Sequence, residues 1–211
     1  TEDMATTKAA QILTNFVRAE VELEGLLGIE RSRNYPPERP LMFGDVQSQA
    51  ESDAMELRQW LGLGMSRAVD LVAMLELDMG VRLYMCPLDS KISGLFAFDD
   101  SSGACMLLNA NHPPERRRQS IAHELGHFIA TRRSPEVLLL DKNERSREER
   151  YANAFGRTFL TPARAVQQQF QRITAGSSRL TRRHIILLAF TFGVSREAIV
   201  RRLEELGLTK S

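Results

Sequence analysis

The sequence has little of what would set it apart from ordinary globular proteins. Its only cysteines, Cys86 and Cys105, are too few for a disulfide framework and fit a reducing compartment. Its apolar runs, such as residues 185–190, are much shorter than the roughly 18–20 residues of a membrane span. The first 30 residues carry several acids and lack the pattern of a signal peptide. We therefore expect a cytoplasmic protein with no membrane partner.

What is present is a balanced composition with an uneven distribution of charge. Apolar residues make up 43% and charged residues 26% of the 211 positions, which is typical of one globular domain with room for a small appendage. The net charge of +1 combines −5 over residues 1–63 with +6 over residues 164–211. An acidic first part and a basic tail indicate different partners, an interaction with each other, or two solvated faces of one fold.

Hydrophobic periodicity predicts helices on both sides of a short sheet. Apolar residues at helical spacing predict helices over 8–27, 47–61, 67–79, 115–131, 146–159, 163–173, 181–192 and 195–206. Ser66 is the predicted N-cap of the third helix, and Gly80 is its predicted end. Alternating patterns predict strands over 81–86, 94–99 and 104–109, with a hairpin turn at 99–103. A proline-rich loop is predicted over 31–40, and a second loop passes through Pro135 and Asp141.

This order of elements predicts an α+β fold with a small three-stranded sheet. Residues 1–49 form an N-terminal helical extension and linker. Residues 50–162 form the core that carries the motifs described below. Residues 163–211 form a basic, helical segment with the look of a helix-turn-helix.

The stretch His-Glu-Leu-Gly-His at 123–127 is the strongest chemical signal in the chain. His123 and His127 are four residues apart on a predicted helix, so their side chains lie about 40° apart and one turn from each other. Two imidazoles in this arrangement can bind one metal ion, and Glu124 can reach a water on that ion. This is the HExxH pattern of zinc peptidases. The apolar residues of the helix fall on its opposite side, where they can dock on a core.

A catalytic zinc site needs a third protein ligand, and Glu149 is the best candidate. It lies on the next predicted helix, where Glu144 and Glu148 are competitors. Asn153 follows one helical turn after Glu149 and can hydrogen-bond the free ring nitrogen of a ligand histidine. The small Gly156 on the same face would let the two helices approach closely.

Several blocks follow one another in a fixed order between residues 51 and 162. They read Ala-Met-Glu-Leu-Arg at 54–58, Leu-Gly-Leu-Gly at 61–64, Leu-Leu-Asn-Ala-Asn at 107–111, His-Glu-Leu-Gly-His at 123–127, Glu-x-x-Ala-Asn-Ala-Phe at 149–155 and Phe-Leu-Thr-Pro at 159–162. In this order and spacing the chain resembles the ImmA/IrrE family of metallo-endopeptidases. Its last block departs mildly from the Leu-Leu-Met-Pro that is usual in the family.

The resemblance implies a compact zincin-like fold and one Zn2+ ion per chain. It implies that His123, His127 and Glu149 bind the zinc and that Glu124 is the catalytic acid/base. It further implies a protein substrate, typically a helix-turn-helix repressor whose cleavage induces a stress, DNA-damage or phage-defence operon. The CapP-like branch beside CBASS operons is one candidate within the family.

Two questions stay open at the level of sequence: which group stabilises the oxyanion, and whether the protein is an enzyme at all. Besides zinc, the oxyanion of the reaction needs a further stabilising group, for which Tyr84, Tyr151, His112 and several arginines are all candidates. The chain is alternatively a DNA-binding regulator with a degenerate peptidase core. A toxin–antitoxin partner that acts by binding alone is the third alternative.

Cys105 has two interpretations. It lies on the last predicted strand before the His-Glu-x-x-His helix, so its sulfur is a candidate inhibitory zinc ligand that would hold the enzyme off. It is otherwise a small buried apolar residue, as free cysteines usually are.

The basic tail also has two interpretations. Arg196, Arg201 and Arg202 lie on its last predicted helix and are candidate contacts for DNA or single-stranded DNA, which would act as an activator. The two last helices alternatively form a scaffold that packs on the peptidase core.

Overall fold

The computed structural model describes residues 2–66, 70–132, 136–139, 146–177 and 179–209 and confirms the α+β class. Its elements are α1 (Glu2–Leu27), α2 (Val46–Trp60), α3 (Leu71–Ala73), β1 (Arg82–Cys86), β2 (Ile92–Asp99), β3 (Gly103–Asn109), α4 (Pro114–Ala130), β4 (Glu136–Leu139), α5 (Arg147–Leu160), α6 (Ala163–Thr174), α7 (Arg182–Phe192) and α8 (Arg196–Glu205). A π-helical turn, Met74–Asp78, continues α3.

The sheet of the described chain has four strands in the order β1-β3-β2-β4, one more than the sequence predicts. β1 runs parallel to β3, whereas β2 runs antiparallel to both β3 and β4. The additional strand, β4, lies where a loop was predicted. Four residues are too few to show an alternating pattern, and the strand is defined by its pairing with the outer edge of β2.

The third helix begins later than predicted. Asp70 caps α3, since its carboxylate accepts a hydrogen bond from the Ala73 amide at 3.0 Å. The predicted cap, Ser66, instead presents its carbonyl oxygen to the buried guanidinium of Arg58. Residues 67–69, the predicted first turn, lie outside the described residues. Gly80 follows the π-helical turn with a φ of +75°, in agreement with the predicted end.

The two faces of the sheet support different parts of the molecule. Successive residues of a strand point to opposite faces. Ala104, Met106 and Leu108 of β3 join the main core, on the side of α4. Cys105 and Leu107 join a smaller cluster beneath α1. The His-Glu-x-x-His helix therefore packs on one face, and α1 covers the other.

The C-terminal helices share the main core with α4 and α5. The buried residues Leu188 and Phe192 of α7 and Ile199 and Leu203 of α8 belong to the same cluster as the buried residues of α4 and α5. A left-handed residue, Gly193, ends α7, and the hydroxyl of Ser195 caps α8 by accepting a hydrogen bond from the Ala198 amide at 3.1 Å. The pair therefore packs as part of the fold.

None of the helices in the described ranges combines the length and the apolar character that crossing a bilayer requires.

Candidate metal centre and active site

α4 carries the His-Glu-x-x-His motif on a helix that is anchored by its apolar side. Pro114 occupies the first helical position, where its fixed φ and missing N–H suit a helix start. Leu125 and Phe128 are buried in the main core. This docking directs the ring nitrogens of His123 and His127 toward α5.

α5 places Glu149 opposite these histidines. The hydroxyl of Ser146 accepts a hydrogen bond from the Glu149 amide at 3.1 Å and so fixes the first turn of the helix. A carboxylate in the first turn is favoured by the positive end of the helix dipole. The local sequence thus fixes both the start of α5 and the charge that it presents to α4.

Two glycines let α4 and α5 touch. A Cβ atom on Gly126 would lie 2.8 Å from the Cα of Ala152, and one on Gly156 would lie 3.0 Å from the backbone carbonyl carbon of Ala122. The contact at Gly126 is shorter than real Cβ contacts, and the contact at Gly156 is tighter than nine in ten of them, so a larger residue at either position would press against the neighbouring helix. Gly156 was predicted from the sequence to serve this purpose, and Gly126, inside the motif itself, was not.

The three side chains meet at distances that suit one metal ion. His123 Nε2 and His127 Nε2 are 3.1 Å apart, and each is 3.6 Å from an oxygen of Glu149. Ligand atoms bound tetrahedrally at about 2.0–2.2 Å are about 3.3–3.5 Å from one another. All three residues are buried. Two imidazole nitrogens and a carboxylate at this spacing fit a divalent ion such as zinc.

Glu148, an alternative third ligand, does not join this group. Within the described ranges, His123, His127 and Glu149 form the only set of three or more His, Cys, Asp or Glu side chains whose ligand atoms converge. Glu148 is not part of the set, and Glu144 lies outside the described residues.

Both histidines are oriented through their other ring nitrogen. His123 Nδ1 lies 3.0 Å from Asn153 Oδ1, and His127 Nδ1 lies 3.2 Å from the hydroxyl of Thr131. A ring that carries its proton on Nδ1 donates it to these oxygens and leaves the Nε2 lone pair free for a metal. Asn153 was singled out from the sequence. Thr131, four residues after His127 at the end of α4, was missed although its helical spacing was visible.

The side chain of Glu124 extends from α4 toward strand β2. Its side chain is fully buried, and its Oε1 is 3.6 Å from the point that a Cβ of Gly94 would occupy. The pairing of β2 with β4 is irregular between Ile92 and Gly94, which is the signature of a β-bulge. Bulges re-aim a strand near active sites, and here the bulge brings a residue without a side chain against the carboxylate. Gly94 was predicted as the first residue of a strand, but its approach to Glu124 was not predicted.

The structure corrects the proposed inhibitory role of Cys105. Its thiol is buried beneath α1 on the face of the sheet that points away from α4, so it cannot reach the metal ligands. The sulfur donates to the carbonyl oxygen of Gly103 at 3.5 Å. Burial raises the pKa of Cys105 to about 11, which also opposes the thiolate that a metal would need. Cys105 is a core residue.

Two of the oxyanion candidates are held elsewhere. The hydroxyl of Tyr84 donates to Glu20 of α1, on the face opposite to α4. The hydroxyl of Tyr151 is buried and donates to Asp53 Oδ2 at 2.8 Å. His112 is buried at the junction of β3 and α4, where desolvation lowers its pKa. His112 does not belong to the converging ligand set.

The three candidate arginines of the tail differ in placement. Arg202 is buried and donates to the carbonyl oxygen of Thr161 at 3.1 Å, which argues against a contact with nucleic acid. Arg196 and Arg201 are exposed, and Arg201 pairs with Glu197 at 2.7 Å. Both exposed arginines line a groove of about 960 Å³ between α4, α5 and the α7–α8 turn, which also reaches His123.

Residues 77–204 match the family model of Peptidase M78, described as the IrrE N-terminal-like domain, and this match covers more than half of the chain. Among curated proteins, no sequence matches significantly. A solved structure, a Mycobacterium tuberculosis transcriptional regulator, is similar in fold with a TM-score of 0.51 and 16% identity. That likeness covers 74% of this chain and 46% of the regulator, so the chain spans less than half of its length. The matched segment contains both motif helices and all three converging ligands, and the chain belongs to the Peptidase M78 family, with its IrrE N-terminal-like domain.

Proposed function

We propose that the protein is a zinc-dependent endopeptidase. The observation that carries this proposal is the buried convergence of His123, His127 and Glu149, with Glu124 one residue after the first ligand. Two histidines and one glutamate leave the fourth position of a tetrahedral ion open, as catalytic zinc sites require.

The residues of the chain support a hydrolytic mechanism. When bound, zinc would lower the pKa of a water ligand toward about 7 and polarise the scissile carbonyl group. Glu124 takes a proton from the attacking water and delivers it to the leaving amine. Asn153 and Thr131 hold the protons of the two ligand imidazoles on Nδ1, so that both rings keep their orientation during turnover. The packing around Glu124 excludes bulk water from this carboxylate.

We further propose that the substrate is a helix-turn-helix transcriptional repressor, whose cleavage induces a stress, DNA-damage or phage-defence operon. The family membership supports a protein substrate. A protein of similar fold is named as a transcriptional regulator, in keeping with a role in gene control. In this proposal the reaction takes place in the cytoplasm.

The metal and the base can be tested separately. Protein purified without added metal should carry about one zinc per chain, and His123→Ala and Glu149→Ala should lose it. Glu148→Ala is the matched control, because it removes the neighbouring acid and leaves the ligand set intact. Glu124→Gln should keep the zinc and lower repressor cleavage by about 10²–10⁴-fold. Zinc retained by Glu149→Ala, or cleavage retained by Glu124→Gln, would contradict the assignment.

A contact with DNA or single-stranded DNA is a second proposal, supported by the exposure of Arg196 and Arg201 on the groove that reaches His123. Each arginine that contacts a phosphate contributes about 0.9 to the slope of log affinity against log salt for double-stranded DNA and about 0.7 for single-stranded DNA. The double variant Arg196→Gln/Arg201→Gln should therefore lower the slope by about 1.8 or about 1.4, respectively. An unchanged slope would show that these arginines touch no phosphate.

A further inference from the structure

Strand β4 occupies the edge of the sheet that lies nearest to Glu124. Its register pairs Leu138 with Gly94, Val137 with Leu95 and Glu136 with Phe96. Gly94 is the residue of β2 that lies against the carboxylate of Glu124. β4 is therefore the strand directly outside Gly94, which lies next to the candidate base Glu124.

A peptide bond that is to be cut must lie close to that base in an extended form. Extended peptides bind to folded proteins most readily by adding a strand to a sheet edge, where backbone hydrogen bonds supply affinity. The inner edge of β2 is taken by β3, so its outer edge is the place where an added strand would meet Glu124. In this structure β4 is paired there.

We propose that β4 holds the place of the substrate on the outer edge of β2 and that an extended peptide segment binds there only when β4 leaves. The proposal rests on the peptidase function proposed above. It names the substrate class as a strand-forming, locally unfolded segment of a protein, because an intact helix cannot pair with a sheet edge.

The chain before and after β4 is held by contacts with residues outside the strand. Before it, the guanidinium of Arg132 is buried and donates to the carbonyl oxygens of Phe128 at 3.2 Å and Pro36 at 2.7 Å. After it, the cap of Ser146 on the Glu149 amide holds the first turn of α5. A strand of four residues is also shorter than the usual five or six and makes correspondingly few backbone hydrogen bonds.

The sequence of β4 supplies a probe for the outer edge of β2. The strand reads Glu-Val-Leu-Leu, a short apolar run with strong strand-forming character after one acid. A peptide with this sequence is therefore the natural probe for the vacated edge. We take the segment of residues 134–143, Ser-Pro-Glu-Val-Leu-Leu-Leu-Asp-Lys-Asn, with a fluorophore at its N-terminus.

The test removes the pairing of β4 and measures binding of this peptide. The N–H groups of adjacent strand residues point in opposite directions, so one of the two N–H groups of Val137 and Leu138 faces β2. Because proline has no N–H group, Val137→Pro together with Leu138→Pro removes the N–H group that faces β2. The matched control, Val137→Thr with Leu138→Thr, keeps both N–H groups. All variants carry Glu124→Gln, so that the peptide is not cut, and fluorescence anisotropy gives its affinity for the zinc-loaded proteins.

We expect the proline variant to bind the peptide at least about tenfold more tightly than the threonine control, because a strand paired for more than nine tenths of the time lowers the apparent affinity of a competitor by that factor. Equal binding by the two variants would overturn the proposal. Weaker binding by the proline variant would overturn it too, since the peptide would then add to the outer edge of β4.

A reversible lock guards against a folding defect in the proline variant. Leu95→Cys with Val137→Cys places two thiols at a directly paired position, where the spacing of the Cα atoms of opposed residues suits a disulfide. Oxidation should abolish binding of the peptide, and reduction should restore it. Binding that persists in the oxidised protein would contradict the proposal. Failure of the proposed function would be distinct, because the parent protein, whose Glu124 is intact, would then bind zinc and cut no protein.

Discussion

Replacing Gly126 by alanine tests whether α4 and α5 must touch for the metal site to form. The new methyl group would lie 2.8 Å from the Cα of Ala152 and 3.3 Å from the Cβ atoms of Ala152 and Phe155. Carbon atoms attract best at about 3.5–4.0 Å, so the helices must separate by roughly 0.5–1 Å to admit it. Gly126 lies directly before His127, while Ala152 follows Glu149 by one turn, so this separation pulls the ligands apart.

The magnitude follows from two opposing terms. Overpacking a close contact costs about 1–3 kcal/mol of unfolding free energy. Alanine recovers up to about 1 kcal/mol through its better helix propensity. The second term can be measured alone with Gly25→Ala in α1, because nothing lies within 4 Å of a Cβ at that position. We expect the unfolding free energies of the two variants to differ by about 1–3 kcal/mol, or roughly 3–9 °C in Tm.

Zinc affinity is the more specific measurement. Metal–ligand distances tolerate deviations of only about 0.2 Å, so a shift of roughly 0.5–1 Å between the helices should lower the affinity at least about tenfold. Unfolding by urea in the presence of a chelator gives the stability, and competition with a metal-binding dye gives the affinity. If Gly126→Ala matched Gly25→Ala in both stability and zinc affinity, the close approach would not be needed for the site.

Three further changes test other contacts. Asn153→Ala should lower zinc affinity by about 10–100-fold, as competition with the same dye would show, because His123 loses the acceptor of its Nδ1 proton. Cys105→Ser should leave the zinc content and basal cleavage of zinc-loaded protein unchanged, since the thiol faces α1; a rise in basal cleavage would revive the inhibitory role. The hydrogen bond from Arg82 lowers the pKa of Glu24 to about 2, so this pair stabilises the fold above pH 4.5 and is lost as the pH falls toward 2. Glu24→Gln should therefore flatten the loss of stability between pH 4.5 and pH 2 in acid unfolding followed by circular dichroism.

The parts of the site that could be predicted from the sequence are those fixed by local spacing. His123 and His127 share one face of α4 because they are four residues apart, and Asn153 follows Glu149 at the same interval on α5. Ser146 stands three residues before Glu149, which is the usual spacing between an N-cap residue and the amide that donates a hydrogen bond to its side chain. In each case one helix turn contains the whole relation, so no knowledge of the tertiary fold was needed.

The parts that were missed depend on which strands meet. Cys105 lies on a strand that was predicted. The element that covers it is decided by the tertiary fold, in which α1 packs on one face of the sheet and α4 on the other. Gly94 reaches Glu124 through a bulge that is defined only against a partner strand, and that partner, β4, is too short to be recognised alone. These relations are long-range, and a single sequence does not record them.

The basic tail shows the same limit for charge. Arg201 and Arg202 are adjacent on α8, and counting charges assigns them the same role. The helix turns by about 100° between them, which leaves Arg201 in solvent and buries Arg202 against the carbonyl oxygen of Thr161. Arg157 of α5, which precedes the basic tail, also pairs with Glu205 of α8. Part of the positive charge that suggests a nucleic-acid partner thus holds α8 to the peptidase core, and only the exposed part is available to attract a polyanion.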